Sequence, residues 1–319
     1  MSTRRQFMGQ SSAVLAGASL LGAGSSWLSL AQAAGDAQAD AQGGTMLKRT
    51  IPSSGEAVPA IGMGTSGSFE VTPGGSEYQA LKEVLQRFFA GGATLIDTAP
   101  TYSNAEDVLG PLLADAKLRP KAFIATKLSG VVGRDRGLAQ FQKTLKSLRT
   151  DKVELLQVHN LGDWKTQIAL ARELKEQGKV KYTGLTHYLD SAHDALAEVV
   201  QQTKPDFLQI NYSVTNRGAE QRLFPMARDL GVAVLANRNF NDGRLFNQVK
   251  GKPLPGWAAE AGITSWAQMF LKFALSDEAV TVVIPATGKP DRQSDNLKAG
   301  YGPLLTPAQK REVIQLLGG

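Results

Sequence analysis

The chain has no cysteine and only three histidines, His159, His187 and His193. The absence of cysteine excludes disulfides, thiolate metal sites and cysteine nucleophiles. The histidines stand at no metal-ligand spacing of the HExxH kind, so no metal is expected. Charge of one sign is also scarce. Lys and Arg number 35 against 29 Asp and Glu, a formal charge of +6, of which Arg4 and Arg5 contribute two and leave +4. The basic residues form no run of five and do not interleave with aromatics, so no nucleic-acid partner is expected.

What is present is a globular composition, 42% hydrophobic and 20% charged over 319 residues, enough for one large domain. At the N-terminus, Ser2 to Met8 read STRRQFM. A weakly apolar stretch follows from Ala13 to Leu30, and then Ala31-Gln32-Ala33, a small-x-small site. This resembles a twin-arginine export signal over residues 1–33, which implies passage through the twin-arginine translocase to the periplasm, folded and commonly with a cofactor already bound. Gly17, Gly22 and Gly24 dilute the apolar stretch, so stable membrane insertion is not expected. Residues 34–45, AGDAQADAQGGT, are too small and polar to bury a core and read as a linker. The folded unit is expected over 46–319, as a monomer.

From Met46 the pattern reads as a hairpin around Ser53-Ser54-Gly55, followed by short apolar runs alternating with amphipathic helical stretches. Ser76 to Ala90 carries Leu81, Val84, Leu85 and Phe88 on one face and stops at Gly91-Gly92. A first short apolar run ends near Met63, and runs at 94–96, 122–126, 153–158, 180–185, 207–210, 232–235 and 280–284 continue the rhythm, broken only by a long irregular loop at 237–256. Eight strand-helix pairs predict an α/β fold, a (β/α)8 TIM barrel with an N-terminal β-hairpin.

Three successive runs end in ionisable residues. Asp97 closes LID, Tyr102 follows it, Lys127 closes FIATK and His159 closes LLQVH. Lys127 lies 30 positions after Asp97, and His159 lies 32 after Lys127, about one strand-plus-helix unit each time. In a closed barrel such strand ends converge on one face. An ammonium beside a phenol favours the phenolate and lowers the phenol's pKa, while a carboxylate keeps the ammonium charged. The result is a proton donor for a developing alkoxide, with His159 donating a hydrogen bond to the same oxygen. Such a site needs an external hydride.

The stretches IDTAPTYSNAEDVLG, FIATKLS, LLQVHN, VKYTGLTH, LQINYS and IPATGKPDRQSDN resemble the aldo/keto reductase superfamily from about Met46 onward. The resemblance implies a catalytic tetrad at Asp97, Tyr102, Lys127 and His159. It implies nicotinamide contacts at Thr186, His187 and Gln209, where His187 replaces the more usual Asn and offers one donor in place of an amide's donor and acceptor. Asn237 and Arg238 stand where many relatives place an aromatic ring against the nicotinamide. Arg238 either meets the cofactor pyrophosphate or pairs with Asp242. Thr287 and Arg292 match contacts to a 2′-phosphate and Asn296 an adenine contact; Ala286 replaces a frequent lysine, with Lys289 nearby to compensate. NADP(H) is therefore favoured, with NAD(H) as a second cofactor. A small-molecule carbonyl is the expected substrate, with Trp164 and Tyr188 at the rim. The rival reading is a cofactor-binding sensor of slow turnover. A Schiff-base isomerase built on Lys127 leaves the segment from Thr287 to Asn296 unexplained.

Overall fold

A computed structural model describes residues 44–318. The export signal read at 1–33 and nearly all of the 34–45 linker lie outside the described residues.

Two short strands, β1 (Lys48–Thr50) and β2 (Ala57–Pro59), pair antiparallel as the expected hairpin. Eight parallel strands follow: β3 (Met63–Gly64), β4 (Leu95–Asp97), β5 (Phe123–Leu128), β6 (Val153–His159), β7 (Val180–Thr186), β8 (Phe207–Asn211), β9 (Ala233–Asn237) and β10 (Val280–Val283). They are neighbours in sequence order. Parallel bridges from Ile61 to Val283 and from Gly64 to Ala286 join last to first, with Gly62 N donating to Val283 O at 2.8 Å. This is the expected (β/α)8 barrel.

Each strand is followed by a helix that covers it. α1 (Ser76–Ala90), α2 (Ala105–Asp115), α3 (Arg134–Ser147), α4 (Trp164–Glu176), α5 (His193–Thr203) and α6 (Leu223–Leu230) come first. The segment after β9 was expected to be irregular throughout but holds one short helix, α7 (Arg244–Gln248), before α8 (Trp266–Leu275). Gly243, at φ 82°, supplies the left-handed turn that starts α7. α9 (Pro290–Lys298) covers β10, and α10 (Pro307–Leu316), fixed by a Thr306/Gln309 capping box, is the last helix among the described residues. Helix packing is tight at Gly110 of α2, where a Cβ would sit 2.1 Å from Ser147 O.

Side-chain alternation organises the interior. Leu95, Phe123, Leu155, Tyr182, Phe207, Ala233 and Val282 point inward at the lower end, and the hairpin residues Ile51 and Val58 close that layer. Phe123 stacks on Tyr182 with ring centres 5.9 Å apart, and Phe207 meets both edge-on. Two to four residues further along each strand the same inward parity reaches the C-terminal mouth.

Candidate active site

Counting by two from the apolar layer places Asp97 on β4, Lys127 on β5, Gln157 and His159 on β6, Thr186 on β7, Gln209 on β8 and Asn237 on β9, all toward the barrel axis. A strand slipped by one residue would turn all of these outward. The register is fixed by pairs such as Asp97 with Ala125, Lys127 with Gln157 and His159 with Thr186. Tyr102 reaches the mouth from the turn between β4 and α2, where its N–H donates to Ala99 O and its carbonyl accepts from Ala105 N.

Lys127 Nζ donates to Asp97 Oδ2 at 2.6 Å and to Thr98 O at 2.8 Å, and the lysine side chain is wholly buried. Asp97 Oδ1 accepts from Gln157 Nε2 at 3.1 Å and Gln209 Nε2 at 2.7 Å. Both carboxylate oxygens are thus committed. Lys127 Nζ also lies 4.9 Å from the Tyr102 ring centre, and the Tyr102 and His159 rings meet edge-on at 6.1 Å. The four ionisable residues form one cluster.

Burial would lower Lys127, but Asp97 and Tyr102 outweigh it and hold the ammonium above its usual range. For Tyr102 the sequence argument expected a lowered phenol. In the structure burial dominates, Lys127 opposes it, Asp97 adds to it, and the net direction is upward. Tyr102 is therefore firmly a phenol at neutral pH. Burial, reinforced by Lys127, brings His159 down to about 4, so its imidazole is uncharged at neutral pH.

Three residues of the site escaped the sequence reading. Gln157 is buried and donates to Asp97. Gly184, opposite it on β7, admits it: a Cβ there would lie 2.8 Å from Gln157 Cγ. Ser129, just past β5, places its hydroxyl 2.7 Å from His159 Nδ1. The signal for all three was inward parity, since each lies an even number of positions from an apolar interior residue.

The expected cofactor contacts divide into two groups. Around the tetrad, Thr186 is buried beside His159. His187 Nδ1 accepts from Tyr188 N at 3.0 Å and Leu189 N at 3.2 Å, leaving Nε2 as its donor. Gln209 donates to Asp97 and Gln157, and its Oε1 accepts from Asn237 Nδ2 at 3.2 Å. Arg238 pairs with Asp242 at 3.1 Å and lies 4.5 Å over the Tyr188 ring. Asn237 Oδ1, Asn239 Oδ1 and Ser213 Oγ are buried without a partner among the described residues. These unmet polar atoms, at the end of β9 and just after β8 and β9, fit a polar ligand lying across the mouth.

The second group surrounds the start of α9. Thr287 Oγ1 accepts from Lys289 N at 3.1 Å, Asn296 is buried, and Lys289 and Arg292 are exposed with no ion pair among the described residues. Nearby Asp291 is already paired with Arg87 at 2.8 Å. Two free cations at a helix start fit a phosphate. A cavity of about 800 Å³ opens instead between the hairpin and the lower strand ends, lined by Lys48, Glu56, Phe123 and Lys181 among others. It touches none of the tetrad. Among the described residues no cluster of three or more His, Asp or Glu can hold a metal, and no helix is long and apolar enough to cross a membrane.

The chain is similar to a putative aryl-alcohol dehydrogenase of Saccharomyces cerevisiae, 30% identical over 177 residues, covering 48% of this chain and 47% of that protein. The L-glyceraldehyde 3-phosphate reductase of Escherichia coli O157:H7 is 25% identical over 309 residues, covering 80% and 88%. The alignments span about half the length of the first curated relatives. Among solved structures, an aldo-keto reductase from Klebsiella pneumoniae in complex with NADPH superposes with a TM-score of 0.71 at 25% identity, covering 85% of this chain and 94% of that one. The aldo/keto reductase family model matches residues 60–315, and with that match over the whole barrel the chain belongs to the aldo/keto reductase family.

Proposed function

We propose that the protein is an NADP(H)-dependent reductase that converts an aldehyde or ketone to the alcohol at the C-terminal mouth of the barrel. The observation that carries this reading is the sealed Asp97/Lys127 pair next to a protonated Tyr102 and an uncharged His159. When bound, the reduced nicotinamide supplies a hydride to the carbonyl carbon. Tyr102 gives its phenolic proton to the carbonyl oxygen as negative charge builds there, and His159 donates a hydrogen bond to that oxygen. Lys127 stabilises the phenolate left behind, and Asp97, held by Gln157 and Gln209, keeps Lys127 charged and placed. Solvent returns the proton to Tyr102.

Thr186, His187, Gln209 and Asn237 are the residues to hold the nicotinamide end. Thr287, Lys289, Arg292 and Asn296 are those to hold the adenosine end. Arg238, which pairs with Asp242 through Nε, is the residue to meet the pyrophosphate. NADP(H) is the preferred cofactor because Lys289 and Arg292 are free for a 2′-phosphate, and the Klebsiella relative is an NADPH complex. NAD(H) is the second choice, in keeping with a relative that is an NADH-specific methylglyoxal reductase. Titration of the protein with NADPH and NADH, then oxidation of bound NADPH by a panel of small aldehydes and ketones, tests the reading. Binding without turnover on any carbonyl would replace it with the sensor.

Export to the periplasm is part of the same proposal, resting on Arg4, Arg5 and the small-x-small site at residues 31–33. A reporter fused to residues 1–45 should be exported, and should stay inside when Arg4 and Arg5 are changed to Lys. Retention of the unchanged fusion would refute it.

A further inference from the structure

Ser129 lies at the inward edge of the site, 3% exposed, two residues beyond Lys127. Its backbone is held from both sides by one side chain of α3: Ser129 N donates to Gln140 Oε1 at 2.8 Å, and Gln140 Nε2 donates to Ser129 O at 2.8 Å. That clamp leaves the hydroxyl as the free functional group. Its single partner among the described residues is His159 Nδ1, at 2.7 Å.

The hydrogen between these two atoms can sit on either side, and the two arrangements are not equivalent. A buried hydroxyl has one proton to place, and among the described residues Nδ1 is the only acceptor within its reach. If Nδ1 carried the hydrogen, the serine proton would be left buried without an acceptor, a costly state. If the serine donates, Nδ1 is satisfied as an acceptor and the imidazole hydrogen moves to Nε2. That nitrogen has no protein partner among the described residues, and the ring meets Tyr102 edge-on. The arrangement that satisfies Ser129 is therefore also the one that arms His159 as a donor.

We propose that Ser129 is a positioning residue for His159: its hydroxyl donates to Nδ1 and so fixes the imidazole as the Nε2–H tautomer, the form that can donate to a substrate carbonyl oxygen. Gln140, by clamping the Ser129 backbone, sets the direction of that hydroxyl. The catalytic consequence rests on the reductase reading, whereas the tautomer itself does not. The same second-layer logic, a neighbour selecting which imidazole nitrogen carries hydrogen, governs histidine in other enzymes.

The test begins with the unaltered protein. With ¹⁵N-labelled histidine at pH 7, long-range ¹H–¹⁵N correlation should show His159 with an unprotonated Nδ1 and a protonated Nε2, its signals assigned by their loss in His159→Gln. Ser129→Ala should mix the two tautomers and lower kcat by about tenfold or more with NADPH affinity unchanged. Ser129→Thr should restore both. A protonated Nδ1 in the unaltered protein would overturn the proposal without any variant. So would Ser129→Ala with unchanged tautomer and unchanged kcat. If the tautomer behaves as described but no carbonyl is turned over, the hydrogen-bond assignment stands and the reductase reading is what fails.

Discussion

Asp97 and Lys127, carried on neighbouring strands, meet at 2.6 Å with the lysine side chain entirely buried and that of the aspartate 4% exposed. Removing one partner from such a pair leaves the other as an uncompensated buried charge. Lys127→Met is therefore expected to destabilise the fold by about 3–5 kcal/mol, as well as to abolish turnover. Adding Asp97→Asn should recover part of that stability without recovering activity. Denaturant unfolding of the single and double variants measures both effects, and an additive loss would show that the pair does not couple.

His159 gives a pH signature of defined sign. In the unfolded chain it takes a proton near its ordinary value of 6.5, but in the fold only at about 4. Between those values the unfolded state binds the extra proton, so stability falls as pH drops through 6.5 toward 4. Because the ring is only half-buried, the effect should be about 1–2 kcal/mol. Thermal or urea unfolding between pH 4 and 7 should show this slope in the unaltered protein and a shallower one in His159→Gln, where His187, also lowered by burial, still contributes.

Arg292 is exposed and has no acidic partner among the described residues, so replacing it costs the fold little. Arg292→Ala should raise the Kd for NADPH much more than that for NADH, on the order of tenfold or more, because only the former has a 2′-phosphate to lose. Fluorescence titration with each cofactor checks this. An equal change in both would remove the basis for the NADP preference.

Gln293, on α9, is wholly buried with both amide atoms unpartnered among the described residues. An unmet buried polar group costs about 1–3 kcal/mol. Gln293→Leu, similar in volume, is predicted to stabilise the protein by about 1 kcal/mol. A higher unfolding midpoint supports this, whereas a lower one would show that the amide has a partner in solution.

The barrel was legible because its code is short-range: period-two strands, period-3.6 helices and turn residues between them, as in α1, whose bounds and buried face match the sequence reading. The tetrad was legible because polar residues ended apolar runs. Ser129, Gln157 and Gly184 were hidden because their roles arise between strands, from a register that no single segment encodes. Gln157 looks like one more strand residue until β5 and β7 stand on either side of it. The direction of the Tyr102 shift was misjudged for a related reason. The Lys127 charge could be read from the motif, whereas the depth of burial that outweighs it belongs to the assembled barrel.

The most direct test of the central claim is a comparison of the unaltered protein with Tyr102→Phe, measuring NADPH affinity and the rate of its oxidation by a reactive aldehyde under single-turnover conditions. The account predicts NADPH affinity within about threefold of the unaltered protein and a rate reduced by about 10²–10⁴. An undiminished rate in Tyr102→Phe would contradict the assignment of Tyr102 as the proton donor.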